Sequence, residues 1–523
     1  MANIITRRSF LKAGFQATAA LGLASLTNIP PFLKRALAEG NIGINGKKLL
    51  FIFLRGGNDG VNNILPIQDP SYAANRALIG IPKDPGVLYG TATGVADAPP
   101  AGYPYGIRLG NGFAALNPAM ADMVPVFNAG DLALIHRVAY RSQSRSHFDS
   151  EVYWEKATDG VAANNRLVGD GLWYRTIVES GWNQNHALSA VSLQSNMPQS
   201  LRGVEPMTNL SSIGRYNLLG VYNPIGSTNQ DRVKLLNAID AANLRAYAPK
   251  DNRELAHNLG TAFQDTLEIF KNPAFDSNNF LDNDGSTHLF PIDTASDVLL
   301  STNPNVYRFG SGFYGFMSQI KSCAQILANT DAIITGTEIG GFDTHTAQVT
   351  QGSPHLGGHA SILRRVAWAY YALWRFFSNP ANNLQGKNLW NDMVVVTMSE
   401  FGRTSAENAS MGTDHGEASV MYVGGGGVTG GVYGCSPNDA VPWVAGSGGK
   451  DGSLFAANNS VGYLRRAIDN RSVVGEIIRD HLGATQDQLN RIIPAYAVAN
   501  DAEHVKTPGT VGTTPIMGEL NIV

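Results

Sequence analysis

The chain has 523 residues, 39 basic and 42 acidic side chains, a formal net charge of −3 and 43% hydrophobic residues, enough for one large α/β domain or two domains. Without a basic excess it is not built to neutralise phosphate backbones, so nucleic acid is excluded as a partner. Only Cys323 and Cys435 occur, with no C-x-x-C pair, which excludes a thiolate zinc or iron–sulfur centre and leaves either one disulfide or two buried thiols.

At the N-terminus, Thr6-Arg7-Arg8-Ser9-Phe10-Leu11-Lys12 precedes an apolar stretch over 13–26. Its Gly, Ala and Thr make it too short and too weakly hydrophobic for a membrane span, and it reads as a twin-arginine export signal. Ala36-Leu37-Ala38 supplies a small-x-small cleavage site, so residues 1–38 are expected to be removed, leaving a mature chain of about 485 residues. Loss of Arg7, Arg8, Lys12, Lys34 and Arg35, with no acid lost, leaves 34 basic against 42 acidic residues, a charge of −8. The expected compartment is the periplasm or the cell exterior, with the twin-arginine translocase as the partner during export. No later stretch is long and apolar enough to span a bilayer.

Residues 49–54 form a continuous apolar run and predict a central parallel strand, with Asn58 and Asp59 in the loop behind it. Residues 82–112 are rich in Pro and Gly and predict a surface excursion. A second strand is expected over 132–135, leading through a polar cluster at 141–149 to a helix beginning at 152. A short strand over 187–193 and a Gly/Asn-rich connection over 204–230 follow. Apolar spacing of three and four predicts helices between 231 and 271, divided at Pro249. Residues 272–312, full of Asn, Asp and Ser, read as an insertion or lid outside the core. A helix over 313–329, a strand over 332–337, a helix over 360–377 whose aromatics face the core, and strands over 393–398 and 418–423 come next. The glycines at 424–427 read as a turn, residues 472–482 as a terminal helix, and the tail after 507 as unpacked. The alternation predicts a doubly wound, mostly parallel α/β sheet with helices on both faces. One domain over 39–490 would carry insertions at about 82–112 and 272–312, with 491–523 as a C-terminal tail.

Three loops behind apolar runs end in acids or histidines: GGNDG at 56–60, GGFDTH at 340–345, and SEFGR at 399–403 with GTDHG at 412–416. A parallel sheet delivers such strand ends to one edge, where a metal site can assemble. Asp59, flanked by glycines, can reach a ligand there or form an ordinary Asx turn. Asp343 and His345, two apart, share a face of an extended loop and can bind one ion. Glu400 ends a strand inside the fold, where an unpaired carboxylate is costly unless it meets a cation. Asp414 and His415 form a second carboxylate–imidazole pair, in which Asp414 either ligates or orients His415. The expected ligands are therefore Asp59, Asp343, His345, Glu400, Asp414 and His415, holding one or two ions of zinc, manganese, magnesium or calcium.

Ser142, Ser144 and Ser146 lie among Arg141, Arg145 and His147. A serine opening a helix is either a nucleophile activated by the helix dipole and a metal, or an N-cap. Arg145 and Arg403 are candidates to clamp an oxyanion, or else form salt bridges to Glu400 or Asp149. No G-x-S-x-G elbow and no G-x-x-x-x-G-K-[ST] loop occur, which disfavours an α/β-hydrolase or a P-loop mechanism.

The order RRSFLK, FLRGGNDGVNNILP, RSHFDSEVYWE, GGFDTH, SEFGRT and GTDHGEASVMYVGG resembles a widespread bacterial family of exported proteins bearing a domain of unknown function. That family is placed in the alkaline phosphatase and sulfatase superfamily, and the resemblance runs from about Lys47 to Gly483. It implies an alkaline phosphatase-like fold with two adjacent metal sites and a nucleophile between them. Asp59 would be the ligand after the first strand, Ser146 the nucleophile, Asp343 and His345 the middle pair, Glu400 the late-strand ligand, and His415 would close the set. Two departures stand out. Glu400-Phe401 occupies the place of an Asp-His doublet, and the middle pair is spaced by one residue rather than three, which leaves a one-metal or repurposed site open. Neither cysteine sits in a motif that sulfatases convert to formylglycine, so an ordinary sulfatase is disfavoured. The implied activity is that of a periplasmic metal-dependent hydrolase or transferase acting on phosphate or sulfate esters, small or polymeric. The alternative is a non-catalytic exported binding or envelope-assembly protein on the same fold.

Overall fold

The computed structural model describes residues 42–161, 168–184, 186, 188–204, 207–213, 269–270, 275, 280–294, 296, 311–444, 446, 462–494, 496 and 503–523. Its centre is a nine-stranded sheet built from β1 (Lys48–Leu54), β2 (Leu132–Ala139), β3 (Ala190–Leu193), β4 (Thr208–Leu210), β5 (Ile334–Ile339), β6 (Met393–Met398), β7 (Ser419–Gly424), β8 (Gly431–Tyr433) and β9 (Ile468–Asp469). The spatial order is β8-β2-β7-β6-β1-β5-β3-β4, with β9 pairing to β2. β1 runs parallel to β5 and β6, and β3 parallel to β4 and β5. β8 and β9 run parallel to β2, whereas β7 is antiparallel to both β6 and β2. The fold is thus α/β with a mixed sheet.

β1 shows why its sequence is apolar without alternation. Leu50, Ile52 and Leu54 pack into one hydrophobic layer with residues of α3 (Ser311–Asn329) and α4 (Gly358–Ser378), among them Ile320, Leu363 and Tyr370. Leu49, Phe51 and Phe53 face the opposite layer with Trp154 of α1 (His147–Lys156) and Trp173 and Ile177 of α2 (Leu172–Ser180). A strand covered on both faces needs apolar residues at every position.

The sheet's direction decides where chemistry collects. Leu54 aligns with Ile339 and Phe53 with Met398, so β1, β5 and β6 end together. Because β7 runs the other way, it begins at that same edge, with Ser419 opposite Val138 near the end of β2. The loops after β1, β2, β5 and β6 therefore meet there, and the GTDHG loop arrives ahead of its strand rather than behind it.

Several expectations change. α1 begins at His147, five residues before the expected start, because Ser146 caps it. The stretch 272–312 is not outside the core in its described part. Leu289 and Phe290 are buried, and Phe280 and Phe290 lie 4.9 and 5.6 Å from the Phe376 ring. Isolated aromatics among Asn and Asp carry no periodicity, so the sequence pattern does not reveal them. The tail after 507 is packed rather than loose: Gly509–Val511 pairs with Thr514–Ile516, and Ile516 and Ile522 are buried. Cys323 and Cys435 are separate buried thiols, and burial pushes Cys323 up to about 12. The export signal at 1–38, and the expected helices of 231–271 apart from residues 269–270, lie outside the described residues. Among the described residues no helix is long and apolar enough to cross a membrane.

The tail is anchored by Glu476 at the end of α5 (Asn470–Glu476), whose buried carboxylate accepts the N–H groups of Leu520 and, at 2.8 Å, Ile522. Burial raises this carboxyl from 4.5 to about 7, outweighing the two backbone donors, which favour the charged form. The folded chain holds a proton in that window that the unfolded chain releases, so stability falls as pH rises between about 4.5 and 7. The melting temperature of the wild type should drop relative to Glu476→Gln across this window. A difference that stays constant with pH would rule out titration of Glu476 there.

Candidate metal centre

Arg403 organises the rim. It is fully buried behind β6. Its Nε donates to Gly57 O at 2.7 Å and its Nη1 to Thr413 O at 3.1 Å, while its Nη2 donates to Gly56 O, to Phe342 O at 3.0 Å and to Asp343 Oδ1 at 2.6 Å. One guanidinium thus ties together the loops behind β1 and β5 and the loop ahead of β7. The close approach requires glycine at the end of β1. Gly56 and Gly57 have φ of +116° and +71°, and a Cβ on Gly57 would stand 2.3 Å from the Phe401 ring.

Three histidines converge on the oxygen that Arg403 holds. From Asp343 Oδ1, His345 Nε2 is 3.1 Å away, His415 Nε2 3.4 Å and His147 Nε2 3.6 Å. Each ring is fixed through its other nitrogen. His147 Nδ1 meets Glu400 Oε1 at 2.8 Å, His345 Nδ1 meets Asp414 Oδ1 at 2.9 Å, and His415 Nδ1 meets Arg145 O at 2.8 Å. Carboxylates and carbonyls only accept, so each Nδ1 carries a proton and each ring turns its Nε2 inward. His345 Nε2 and His415 Nε2 then face each other at 3.0 Å. Nitrogens so close, beside a carboxylate oxygen, are held together by a shared proton, by the Arg403 Nη1 donor 3.5 Å from His345 Nε2, or by a cation that takes their lone pairs.

A metal ion fits the last of these. Ligand atoms of His147, Asp343 and His415 lie within 4.8 Å of one another. His147 Nε2 is buried yet makes no hydrogen bond. Nδ1–H held by a carboxylate or carbonyl, with Nε2 facing the ion, is the usual outer arrangement of metal-bound histidine. Two imidazoles and one carboxylate form this group, with His345 Nε2 beside it at 3.0 Å from His415 Nε2, and such a set suits zinc or manganese better than magnesium or calcium, which prefer all-oxygen sites.

The surroundings tune these groups. The hydrogen bond to Glu400 raises His147 above the ordinary histidine value, and burial lowers His415. Burial works against the charge on Asp343, but Arg403 outweighs it and the carboxyl is lowered. Asp414 is lowered by its bond to His345.

Of the residues named from sequence, Asp343, His345 and His415 meet at the cluster. Glu400 and Asp414 stand behind it, each holding a histidine. Glu400 is fully buried and also accepts the Gly56 N–H at 2.7 Å. Asp59 is elsewhere. Its two oxygens take Arg76 Nη1 and Nη2 at 2.6 and 2.9 Å, a buried ion pair that lowers its pKa despite full burial. The Ser146 hydroxyl accepts the Asp149 N–H at 3.5 Å as the cap of α1, next to His147. Arg145 is half-exposed, with its guanidinium 4.3 Å above the Tyr463 ring and 3.9 Å from Glu417 Oε1, whereas its carbonyl orients His415. Arg403, with its donors engaged by carbonyls, Asp343 and, at 3.5 Å, His345 Nε2, ties loops and has no free face for an oxyanion. His147 is the member that sequence reasoning missed. Its signal is its place in the RSHFDSE stretch, directly after the expected nucleophile Ser146.

Glu400→Gln, which weakens the hold on His147 Nδ1, should lower metal affinity about 10- to 100-fold in chelator competition. Asp59→Ala should instead cost about 3–5 kcal/mol in chemical denaturation, by leaving Arg76 buried without its partner.

Residues 323–448 match the model of a protein family of unknown function, DUF1501. The matched stretch carries Asp343, His345, Glu400, Arg403, Asp414 and His415, while Asp59 and His147 lie before it. No curated protein and no solved structure matches the chain.

Proposed function

We propose that the protein is a metal-dependent hydrolase or transferase of phosphate or sulfate esters, exported by the twin-arginine route to the periplasm or beyond. The observation that carries this reading is the convergence of three inward-facing Nε2 atoms on Asp343 Oδ1. The ester substrate is supported by the resemblance of the motif order to the alkaline phosphatase and sulfatase superfamily.

His147, His415 and Asp343 would hold one ion, zinc or manganese, with His345 beside them, and the ion would supply a Lewis acid for an ester oxygen. A single ion is the better reading because Asp59, Glu400 and Asp414, the other expected ligands, are engaged by Arg76, His147 and His345. Glu400, Asp414 and the Arg145 carbonyl keep the rings in the tautomer that presents Nε2. The Arg145 guanidinium stands on the same rim as a positive charge for an anionic group. Ser146, loosely held by its cap bond and adjacent to His147, is the attacking group. Its oxygen bonds to phosphorus or sulfur as the ester bond breaks, its proton passing to the departing alkoxide so that the alcohol leaves, and water then cleaves the seryl ester, restoring the serine hydroxyl and releasing the acid.

A second reading, an exported binding protein with a structural ion, draws on Phe401. This buried ring lies 4.7 Å from the rings of both His147 and His415, and it places an apolar wall where the superfamily carries a histidine.

Protein purified without chelator should contain about one equivalent of zinc or manganese and turn over members of a panel of nitrophenyl phosphate monoesters, diesters and sulfates. Asp343→Ala combined with His415→Ala should lose the metal. Ser146→Ala should keep the metal and lose turnover, and retained turnover would assign the attack to water. Metal without turnover on any ester would favour the binding protein, and wild type free of metal would remove both readings.

A further inference from the structure

Gln348, three residues beyond His345, touches no candidate ligand, yet it is fully buried beneath two of the loops that supply them. Its Nε2 donates to Asp59 Oδ2 at 2.6 Å. A carboxylate only accepts, so this bond settles which end of the amide faces Asp59 and leaves Oε1 as an acceptor on the other side. Two hydroxyls donate to that oxygen, Thr344 Oγ1 at 2.9 Å and Thr413 Oγ1 at 2.8 Å.

The positions of those threonines give the arrangement its meaning. Thr344 stands between Asp343 and His345, and Thr413 immediately precedes Asp414 and His415. Their loops also share the bond from Thr413 N–H to Thr344 O at 3.1 Å. Asp59 is itself oriented by Arg76, two further donors of which go to Thr404 O at 2.7 Å and Ser405 O at 2.8 Å. A buried chain therefore runs from Arg76 through Asp59 and Gln348 to both ligand loops.

We propose that Gln348 is a positioning residue of the metal centre, setting through Thr344 and Thr413 the separation of the loops that carry His345 and His415. This rests on the metal centre proposed above and adds the device that holds two of its ligands in register. Buried polar groups deprived of a partner pay their full desolvation cost, so an apolar side chain here would leave two hydroxyls unmatched and Asp59 Oδ2 with Arg76 as its remaining donor. The loops would shift to find other partners, and the 3.0 Å spacing of the two Nε2 atoms would no longer be imposed.

The test is zinc affinity by chelator competition, with the melting temperature of the zinc-free protein measured beside it. Gln348→Leu and Thr413→Val should bind zinc about tenfold more weakly or worse, whereas Thr413→Ser, which keeps the hydroxyl, should bind as the wild type does. Thr413→Val is close to isosteric and decides the matter if Gln348→Leu does not fold. A Thr413→Val protein that melts lower but binds zinc with unchanged affinity would overturn the positioning role and leave the centre standing. Wild type that binds no zinc would overturn the centre, and this inference with it.

Discussion

The rim of this sheet depends on a single buried guanidinium. Arg403 lies where β6 ends, and burying its charge is tolerable only because carbonyls of Gly56, Gly57, Phe342 and Thr413, together with Asp343, receive its N–H groups. Those acceptors belong to three loops that are remote in sequence. None can move without leaving a charged donor unmatched, so the loops behave as one body. A lysine, with a point charge and no planar fork, could not meet acceptors so placed.

On that platform the carboxylates divide their work by environment. Glu400 is enclosed and meets an imidazole N–H and a backbone N–H, so it orients. Asp414 does the same for His345 from a more open position. Asp343, with a side chain 49% exposed, is left to share one oxygen with Arg403 and three histidines. The chemistry of the centre follows from where protons sit. Three acceptors on the outside hold hydrogen on Nδ1, so the inward nitrogens are the ones a cation would meet. Phe401 closes one side with an apolar surface, which limits how many ions the rim can accept.

Much of the architecture was legible because it rests on burial alone. β6 was read at its observed bounds, and β1 nearly so, since strands covered on both faces are continuously apolar. The gathering of the 56–60, 340–345 and 399–416 loops at one edge was also legible. What composition could not convey was direction and partner choice. β7 has the same apolar character whether it runs with or against its neighbours, so its antiparallel course appears only in the pairing. Asp59 and Asp343 both follow a strand and glycines, and only the nearness of Arg76 sends Asp59 into an ion pair. His147 was hidden for a related reason. The strand expected to end at 135 continues to Ala139, and the cap at Ser146 starts the helix early enough to bring the histidine onto the rim.

The histidines come from three widely separated stretches: the start of α1, the loop behind β5 and the loop ahead of β7. Such an arrangement cannot exist in a partly folded chain, because β2, β5, β6 and β7 must already be paired before His147 and His415 are neighbours. Loop closure over these distances is slow, so the centre is a late product of the folding reaction. An ion captured there binds the finished chain and not its precursors, which makes it a thermodynamic latch on the completed topology.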